Sequence, residues 1–519
     1  MKRISNAALA MLLIAVYWAS ALTYLDRAPT VHEDEPWIAS TSWALATRGI
    51  FGSTLFAGMD GMETHYYEFM PLYPLTQAVL FRFAGIGLFQ ARFVSVAAGA
   101  LTLSLTYALG RRLFGGTVGV VALSLLVFTR SLASIPALPT GILFFDVNRL
   151  ARYDAFVPVF GLAALNLFLT ARARESVVLF GAAGFVSGMA GLAHLYGAFW
   201  GIALGALALW ERVHPRARLA LTIGFLAPWL VYGLYVWSDL EAWRAQLHWS
   251  HGRFELLNPS WYLNNVSSEG LRYDFIGMRL PTRVGAWFSA LGMVSVGLIL
   301  TWRAWFQRDS KARVLIVPFL MIAALFTLMI SSKIRNYALT LAPLAALMVA
   351  WGIVALWNSF SHVQYGRALR IALASILVLV IGEGMWGIIE LDGTAANTMA
   401  YSQLAANLDA NVVAGTRVLG LHSAWFGFQD TDYRDILVII HHAQNQFVSA
   451  PNPIAAALDE FNPQAVLIDP RLDVYIRDSA ETDPFPSALQ AWMQQHHFSI
   501  RAKVYDAGHG TYRLYTPTR

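Results

Sequence analysis

A polytopic α-helical membrane protein with about eleven transmembrane helices, interfacial helices in its first outer loop and a small carboxy-terminal α/β domain is the fold class this sequence predicts. Three observations carry that prediction. Of 519 residues, 57% are hydrophobic and only 13% charged. Apolar runs close to the ~20 residues that span a bilayer recur along the first 390 residues. Lysine and arginine gather in every second connection between those runs. The candidate spans are residues 6–24, 92–110, 117–135, 155–170, 177–193, 195–210, 217–237, 284–302, 314–331, 337–357 and 369–389.

Basic residues are retained on the cytoplasmic side during insertion, and this sets the orientation. Lys2 and Arg3, Arg111 and Arg112, Arg172 and Arg174, Arg212, Arg216 and Arg218, Arg303 to Arg313, and Arg367 and Arg370 then lie inside. Residues 25–91, 136–154, 238–283 and the whole tail after Glu390 lie outside. The small-x-small stretch WASAL at Trp18–Leu22 resembles a signal-peptidase site, but an apolar run from Ala7 to Leu25 favours an uncleaved span.

The first outer loop is too long and too apolar for a connector. EPWIASTSWALATRGIF and EFMPLYPLTQAVLFRFAG both have helical apolar spacing and are read as helices lying in the interface, joined by a Gly-rich link. Taking the second as a twelfth span would put Arg111 and Arg112 outside and reverse every later loop. From about Gly393 the character becomes soluble α/β, which divides the chain into a membrane domain, 1–390, and an outer domain, 391–519. In the outer domain NTMAYSQLAANLDANV and FPSALQAWMQQH read as helices, TRVLGL, ILVII and AVLID as strands, and SIRAKVYD with TYRLYT as a hairpin around Gly508 and Gly510.

The formal charge of +5 does not point to nucleic acid, because residues 391–519 hold 8 Lys and Arg against 13 Asp and Glu. The excess sits between the apolar runs. The chain has no cysteine, which excludes disulfides and Cys-based zinc sites. No repeat, Walker motif or glycine fingerprint is present.

Three outer segments carry candidate chemistry. VHEDEPWIAS, just beyond the first span, sets His32, Glu33, Asp34 and Glu35 in succession, where carboxylates could act as a general base, hold a cation or remain solvated loop charges. NRLARYDAF places Arg149, Arg152 and Asp154 at the outer mouth of the fourth span. SSKIRNYALTLAPLAAL puts Lys333, Arg335 and Tyr337 in a short outer turn. Two cations there break the positive-inside trend, which an anionic ligand such as a phosphate at the outer leaflet explains better than topology. The histidines invite a metal reading, yet no spaced ligand set such as HExxH occurs, and His194 in GLAHLYG reads first as a packing residue. Asn265–Ser267 is a glycosylation sequon on the outer side.

In order and spacing these segments resemble the GT-C glycosyltransferases, in the branch dependent on polyprenyl- or dolichyl-phosphate sugars that includes protein O-mannosyltransferases and aminoarabinose transferases. DEPWIASTSWALATRG is similar to that family's acidic motif, YYEFMPLYPLTQAVLFRFAG to its proline-rich juxtamembrane helix, ARYDAF to its Arg-x-Asp turn, and SKIRNYALTLAPLAAL to its late basic-Tyr-Pro segment. Glu68 stands where the lipid A enzymes often carry a basic residue, a departure that bears on donor and acceptor. The resemblance implies inverting transfer from a lipid-phosphate sugar to an acceptor hydroxyl. Asp34 and Glu35 are then catalytic, Lys333, Arg335, Tyr337 and Arg152 bind the donor phosphate, and Asp154 is a supporting acid. His32, His65, Glu68 and His194 are candidates for substrate binding.

No cofactor is required on this reading, and a divalent cation is left open. The expected partners are a polyprenyl-phosphate sugar, a lipid, glycan or protein acceptor, and the membrane. The expected location is the plasma (inner) membrane, with the catalytic loops and the carboxy-terminal domain extracytoplasmic. The rival classes are a polymerase or ligase for lipid-linked polysaccharide, marked by a pyrophosphate-linked donor, and a lipid or solute transporter. Transport calls for charged or broken midspan segments and repeat symmetry, whereas the midspan residues here are apolar.

Overall fold

A computed structural model describes residues 5–132, 134–247, 255–271, 284–479 and 482–518. Helices α1 (Asn6–Leu22), α2 (Asp34–Arg48), α3 (Leu72–Ala84), α4 (Leu88–Phe114), α5 (Gly116–Phe128), α6 (Leu143–Asn148), α7 (Phe156–Ala173), α8 (Val177–Ala193), α9 (Ala198–Trp210) and α10 (Pro215–Trp237) come first. They are followed by α11 (Leu240–Leu247), α12 (Pro259–Ser267), α13 (Val284–Trp305), α14 (Ser310–Met329), α15 (Ala342–Ser359) and α16 (Gly366–Ala396).

An apolar helix stands at each of the eleven expected places, but they fall into two classes. Seven segments are long and apolar enough to cross a membrane, and they contain α4, α7, α10, α13, α14, α15 and α16. The helices α1, α5, α8 and α9 are apolar but shorter. One continuous core joins residues of α1, α4, α5, α7–α9, α14 and α15. Close approach is set by small residues, as expected where apolar packing against lipid gives no advantage. Between α8 and α10, a Cβ added to Gly184 would lie 2.0 Å from the Leu221 carbonyl oxygen.

Both helices expected in the first outer loop are present as α2 and α3. Thirteen residues give α3 a length of about 20 Å at 1.5 Å per residue, short of a span. Leu75, Val79 and Phe83 form an exposed apolar stripe along it at i, i+4, i+8.

The carboxy-terminal domain holds α17 (Tyr401–Asp409), α18 (Ile436–Asn445), α19 (Pro453–Phe461), α20 (Pro470–Asp478) and α21 (Pro484–Gln495) around a five-stranded sheet. Its strands are β1 (Arg417–Gly420), β2 (Asp432–Asp435), β3 (Ala465–Ile468), β4 (Phe498–Asp506) and β5 (Gly510–Pro517), in the order β2-β1-β3-β5-β4. The first three run parallel, and β5 returns antiparallel beside β3.

One expectation is corrected here: ILVII is the start of helix α18, not a strand. Asp435 caps it by accepting the Leu437 N–H, and the preceding DYRD supplies the strand that pairs with β1. Side-chain capping outweighs the β-branched composition of that run.

The two parts of the chain share a core. Val31, Leu55, Phe56, Met62 and Tyr66 of the segment between α1 and α4 pack in one cluster with Tyr401, Trp425, Phe426 and Tyr433 of the carboxy-terminal domain. The loop after α10 is tied to the segment between α1 and α4: Gln246 on α11 accepts the Tyr67 N–H and donates to the Asp60 and His65 carbonyls. Of the aromatic run expected there, residues 248–254 lie outside the described residues. Asn265 of the sequon is buried, and its Nδ2 donates to the Leu328 carbonyl 2.9 Å away, so the folded chain does not offer it for glycosylation.

Candidate active site

The acidic stretch starts α2, where carboxylates complement the positive end of the helix dipole. Two reciprocal bonds shape the entry: His32 Nδ1 accepts the Asp34 N–H, and Glu35 Oε2 accepts the His32 N–H. Beyond that point the two neighbouring carboxylates part company.

Glu35 is fully buried between Arg92 of α4 and the chain just after α6. Arg92 Nε and Nη2 reach its two oxygens at 2.8 and 2.7 Å, and the Ala151 N–H adds a bond of 2.7 Å. Arg92 also donates to the carbonyls of Leu25, Pro29 and Thr30. Arg149 does similar work nearby, donating to the carbonyls of Ser20, Ala21, Thr23, Tyr24 and Ala28 at the end of α1. These ions hold the loop to the bundle. Glu35, expected beside Asp34 in the chemistry, instead has both oxygens saturated and no exposure.

Asp34 lies in a different setting. Arg152 Nη1 bonds its carboxylate, while Arg152 Nε lies 2.7 Å from Asp154 Oδ2. Arg152 is buried and its guanidinium sits 5.5 Å from the Tyr153 ring, yet the Asp34 side chain keeps 21% exposure. Burial raises the Asp34 carboxyl, but Arg152, His32 and His422 outweigh it and hold it below the ordinary carboxylate range. It is therefore a partly exposed carboxylate held in its ionised form. Arg152, expected on the donor phosphate, is the clamp between two carboxylates.

The late basic segment reaches the same place. Arg335–Thr340 forms a short turn packed against Tyr153–Ala155. Tyr337 is buried against His194 and Tyr196, at ring distances of 5.3 and 5.0 Å, and Tyr153 stands 4.6 Å from His194. His194 Nδ1 accepts the Tyr196 N–H, which agrees with a packing and capping residue that also lines the site. Lys333 is not a spare cation: it pairs with Glu269 at 2.7 Å and donates to the Thr327 carbonyl. The signal from charge in an outer turn thus has a partner within the protein, from a loop distant in sequence. Arg335 is half-buried on the turn.

Beneath this turn an apolar cavity of about 200 Å³ is lined by Leu125, Phe144, Phe319, Ala338, Leu341 and others. It opens under the same segments that carry Arg335 and Tyr337 and precede Arg149.

The other candidates scatter. His65 pairs with Asp239 at 3.1 Å and stacks on Tyr67, away from Asp34. Glu68 lies near Tyr66, whose hydroxyl bonds Trp37 of α2. Burial lowers the His32 imidazole, and Arg152 lowers it further. Among the described residues no group of three or more His, Asp or Glu side chains is arranged to hold a metal ion.

Two contributors carry no local signal in the sequence. Arg92 looks like an ordinary charge near a helix start, and the carboxy-terminal domain brings in residues far along the chain. Arg471 donates to the Val31 carbonyl and lies 3.6 Å from Glu33, and His422 packs against Trp37.

No family model and no curated protein matches the sequence. Solved structures do match. ArnT from Cupriavidus metallidurans bound to undecaprenyl phosphate aligns over 97% of both chains at 15% identity and a TM-score of 0.61. The apo oligosaccharyltransferase of Archaeoglobus fulgidus aligns over 98% of this chain and 74% of its own, at 12% identity and a TM-score of 0.54. AglB from Archaeoglobus fulgidus, in complex with an inhibitory peptide and a dolichol-phosphate, aligns over the same shares at 11% identity and a TM-score of 0.53.

Proposed function

From the GT-C fold that this chain shares with those structures, we infer that it is a membrane glycosyltransferase moving a sugar from a polyprenyl-phosphate donor to an acceptor hydroxyl at the outer face, with inversion. The observation that supports this most is the Asp34–Arg152–Asp154 cluster beside the Tyr337 turn, above an apolar cavity. The apolar lining suits the phosphate-proximal end of a polyprenyl chain, and on this reading Arg335 and Lys333 meet its phosphate at the headgroup level. Lys333 would exchange Glu269 for that phosphate, with Tyr337 and Arg335 beside it.

In the reaction the acceptor oxygen attacks the anomeric carbon. Asp34 takes its proton, and the bond from that carbon to the phosphate oxygen breaks. Arg335 and Lys333 stabilise the charge left on the lipid phosphate. Arg152 keeps Asp34 ionised and aimed, and Asp154 fixes Arg152 from the other side. Glu35 shapes the site by holding the loop. A divalent cation is not needed for any of these steps.

Eleven spans, with the amino terminus inside and residues 391–519 outside in the plasma (inner) membrane, complete the reading. The four shorter apolar helices are then spans supported by their neighbours. A donor screen tests the function: purified protein receives radiolabelled polyprenyl-phosphate sugars and, separately, pyrophosphate-linked ones, with a membrane extract. Label passing from a monophosphate donor into a product is the expected result. Transfer only from pyrophosphate donors would assign the chain to the polymerase or ligase class.

A further inference from the structure

The boundary between the first outer loop and the carboxy-terminal domain contains an imidazole with one nitrogen engaged and one not. His422 opens the short turn after β1, and that turn packs against α2. Its Nδ1 stands 2.7 Å from Asp435 Oδ2, and the same oxygen accepts its backbone N–H, so the ring is fixed in rotation. The residue is only 7% exposed, and its Nε2 is buried with no hydrogen-bond partner among the described residues. Buried polar groups are normally paired, and an unpaired one calls for a ligand or an explanation.

The surroundings of the ring suggest which ligand. Trp37 lies 5.5 Å away and Phe56 6.4 Å, and Phe69 stands 5.6 Å from Trp37. Trp37 follows Asp34 by three residues, about one turn of α2. Asp435, Glu33 and Asp34 all act on the imidazole electrostatically; burial lowers it, but these carboxylates raise it above its ordinary value. So many carboxylates disfavour an anionic headgroup. Aromatic faces beside carboxylates and one imidazole nitrogen suit a neutral, polyhydroxylated one, whose C–H faces stack while its hydroxyls bond.

We propose that His422 is the acceptor-binding residue contributed by the carboxy-terminal domain, its Nε2 bonding a hydroxyl of a sugar-bearing acceptor held against Trp37 beside Asp34. This rests on the glycosyl-transfer reading above. Asp435 is then a positioning residue that acts through His422.

The test follows release of lipid phosphate from a polyprenyl-phosphate sugar by the full chain, with water alone and with an alkyl glycoside as acceptor. His422→Asn keeps an amide where Nδ1 stands, for Asp435, but has nothing at Nε2, whereas His422→Gln places its amide near Nε2. The expected result is that the glycoside accelerates release by the parent, and His422→Asn lowers that acceleration about 10- to 100-fold, the loss typical of one hydrogen bond from a charged group. His422→Gln recovers part of the acceleration. The proposal is overturned if His422→Asn matches the parent, or if the glycoside fails to accelerate a parent that hydrolyses the donor. A parent that does not break down any donor would contradict the transfer reading itself, and this inference with it.

Discussion

Asp34 and Glu35 are adjacent in the chain and alike in chemistry, yet they occupy opposite kinds of site. Glu35 meets Arg92 in a pair with no exposure on either side, and Arg92 completes its donors with backbone carbonyls. Asp34 meets Arg152 at a partly open surface, and Arg152 is shared with Asp154. The contrast teaches that saturation, not charge, separates a group that holds the fold from one that can react. A carboxylate with every lone pair engaged has no capacity to take a proton, whereas one held by a single guanidinium does.

Breaking the closed side should have the largest effect on the molecule as a whole. Arg92→Ala leaves Glu35 as an uncompensated buried charge, which typically costs about 3–5 kcal/mol. A sharp fall in thermal stability and yield in detergent is expected, and thermal unfolding of the purified protein checks it. Arg149→Ala should behave similarly, because it strips five carbonyls of their donor.

Loosening the open side should change the pH dependence more than the fold. In Arg152→Gln, burial acts on Asp34 without its main opposing charge, so the carboxyl rises. A general base works only when ionised, so activity falls as pH falls through its pKa. The acid limb of the kcat/KM profile should therefore move to higher pH in the variant, where the parent stays flat through the ordinary carboxylate range. An unchanged acid limb would remove Asp34 as the titrating base.

A smaller effect is expected at the donor end. Lys333→Ala with Arg335→Ala should raise the donor KM about tenfold or more, as for the loss of charge-assisted bonds to phosphate, while leaving the carboxy-terminal domain folded. Circular dichroism and donor titration measure both. The smallest effect is expected from Arg471→Ala, whose partner Glu33 is 59% exposed, since pairs of that kind contribute about 0–1 kcal/mol.

The sequence made some of this legible and not the rest, for physical reasons. Hydropathy and basic loops locate α4, α7, α10 and α13–α16 because length and apolarity alone fix such helices. The amphipathic runs of α2 and α3 are equally plain. ILVII misled because a β-branched run looks the same whether a capping aspartate turns it into α18 or a neighbour pairs it as a strand. At the site, Asp34, Arg152, Asp154, His194 and Tyr337 are brought together, and all but His194 stood in the three candidate segments. What local pattern does not contain is the assignment of partners. Arg92 selects Glu35 across 57 positions, Glu269 takes Lys333 across 64, and His422 arrives from another domain. Those choices are made by tertiary packing.

The most direct measurement compares Asp34→Asn with Glu35→Gln, each assayed for thermal stability and for turnover of a polyprenyl-phosphate sugar. The account predicts that Asp34→Asn unfolds at the parent's temperature while turnover drops by about 10²–10⁴, the range for a lost general base, and that Glu35→Gln loses stability first. A stable Glu35→Gln without turnover, beside an Asp34→Asn that still transfers sugar, would contradict it.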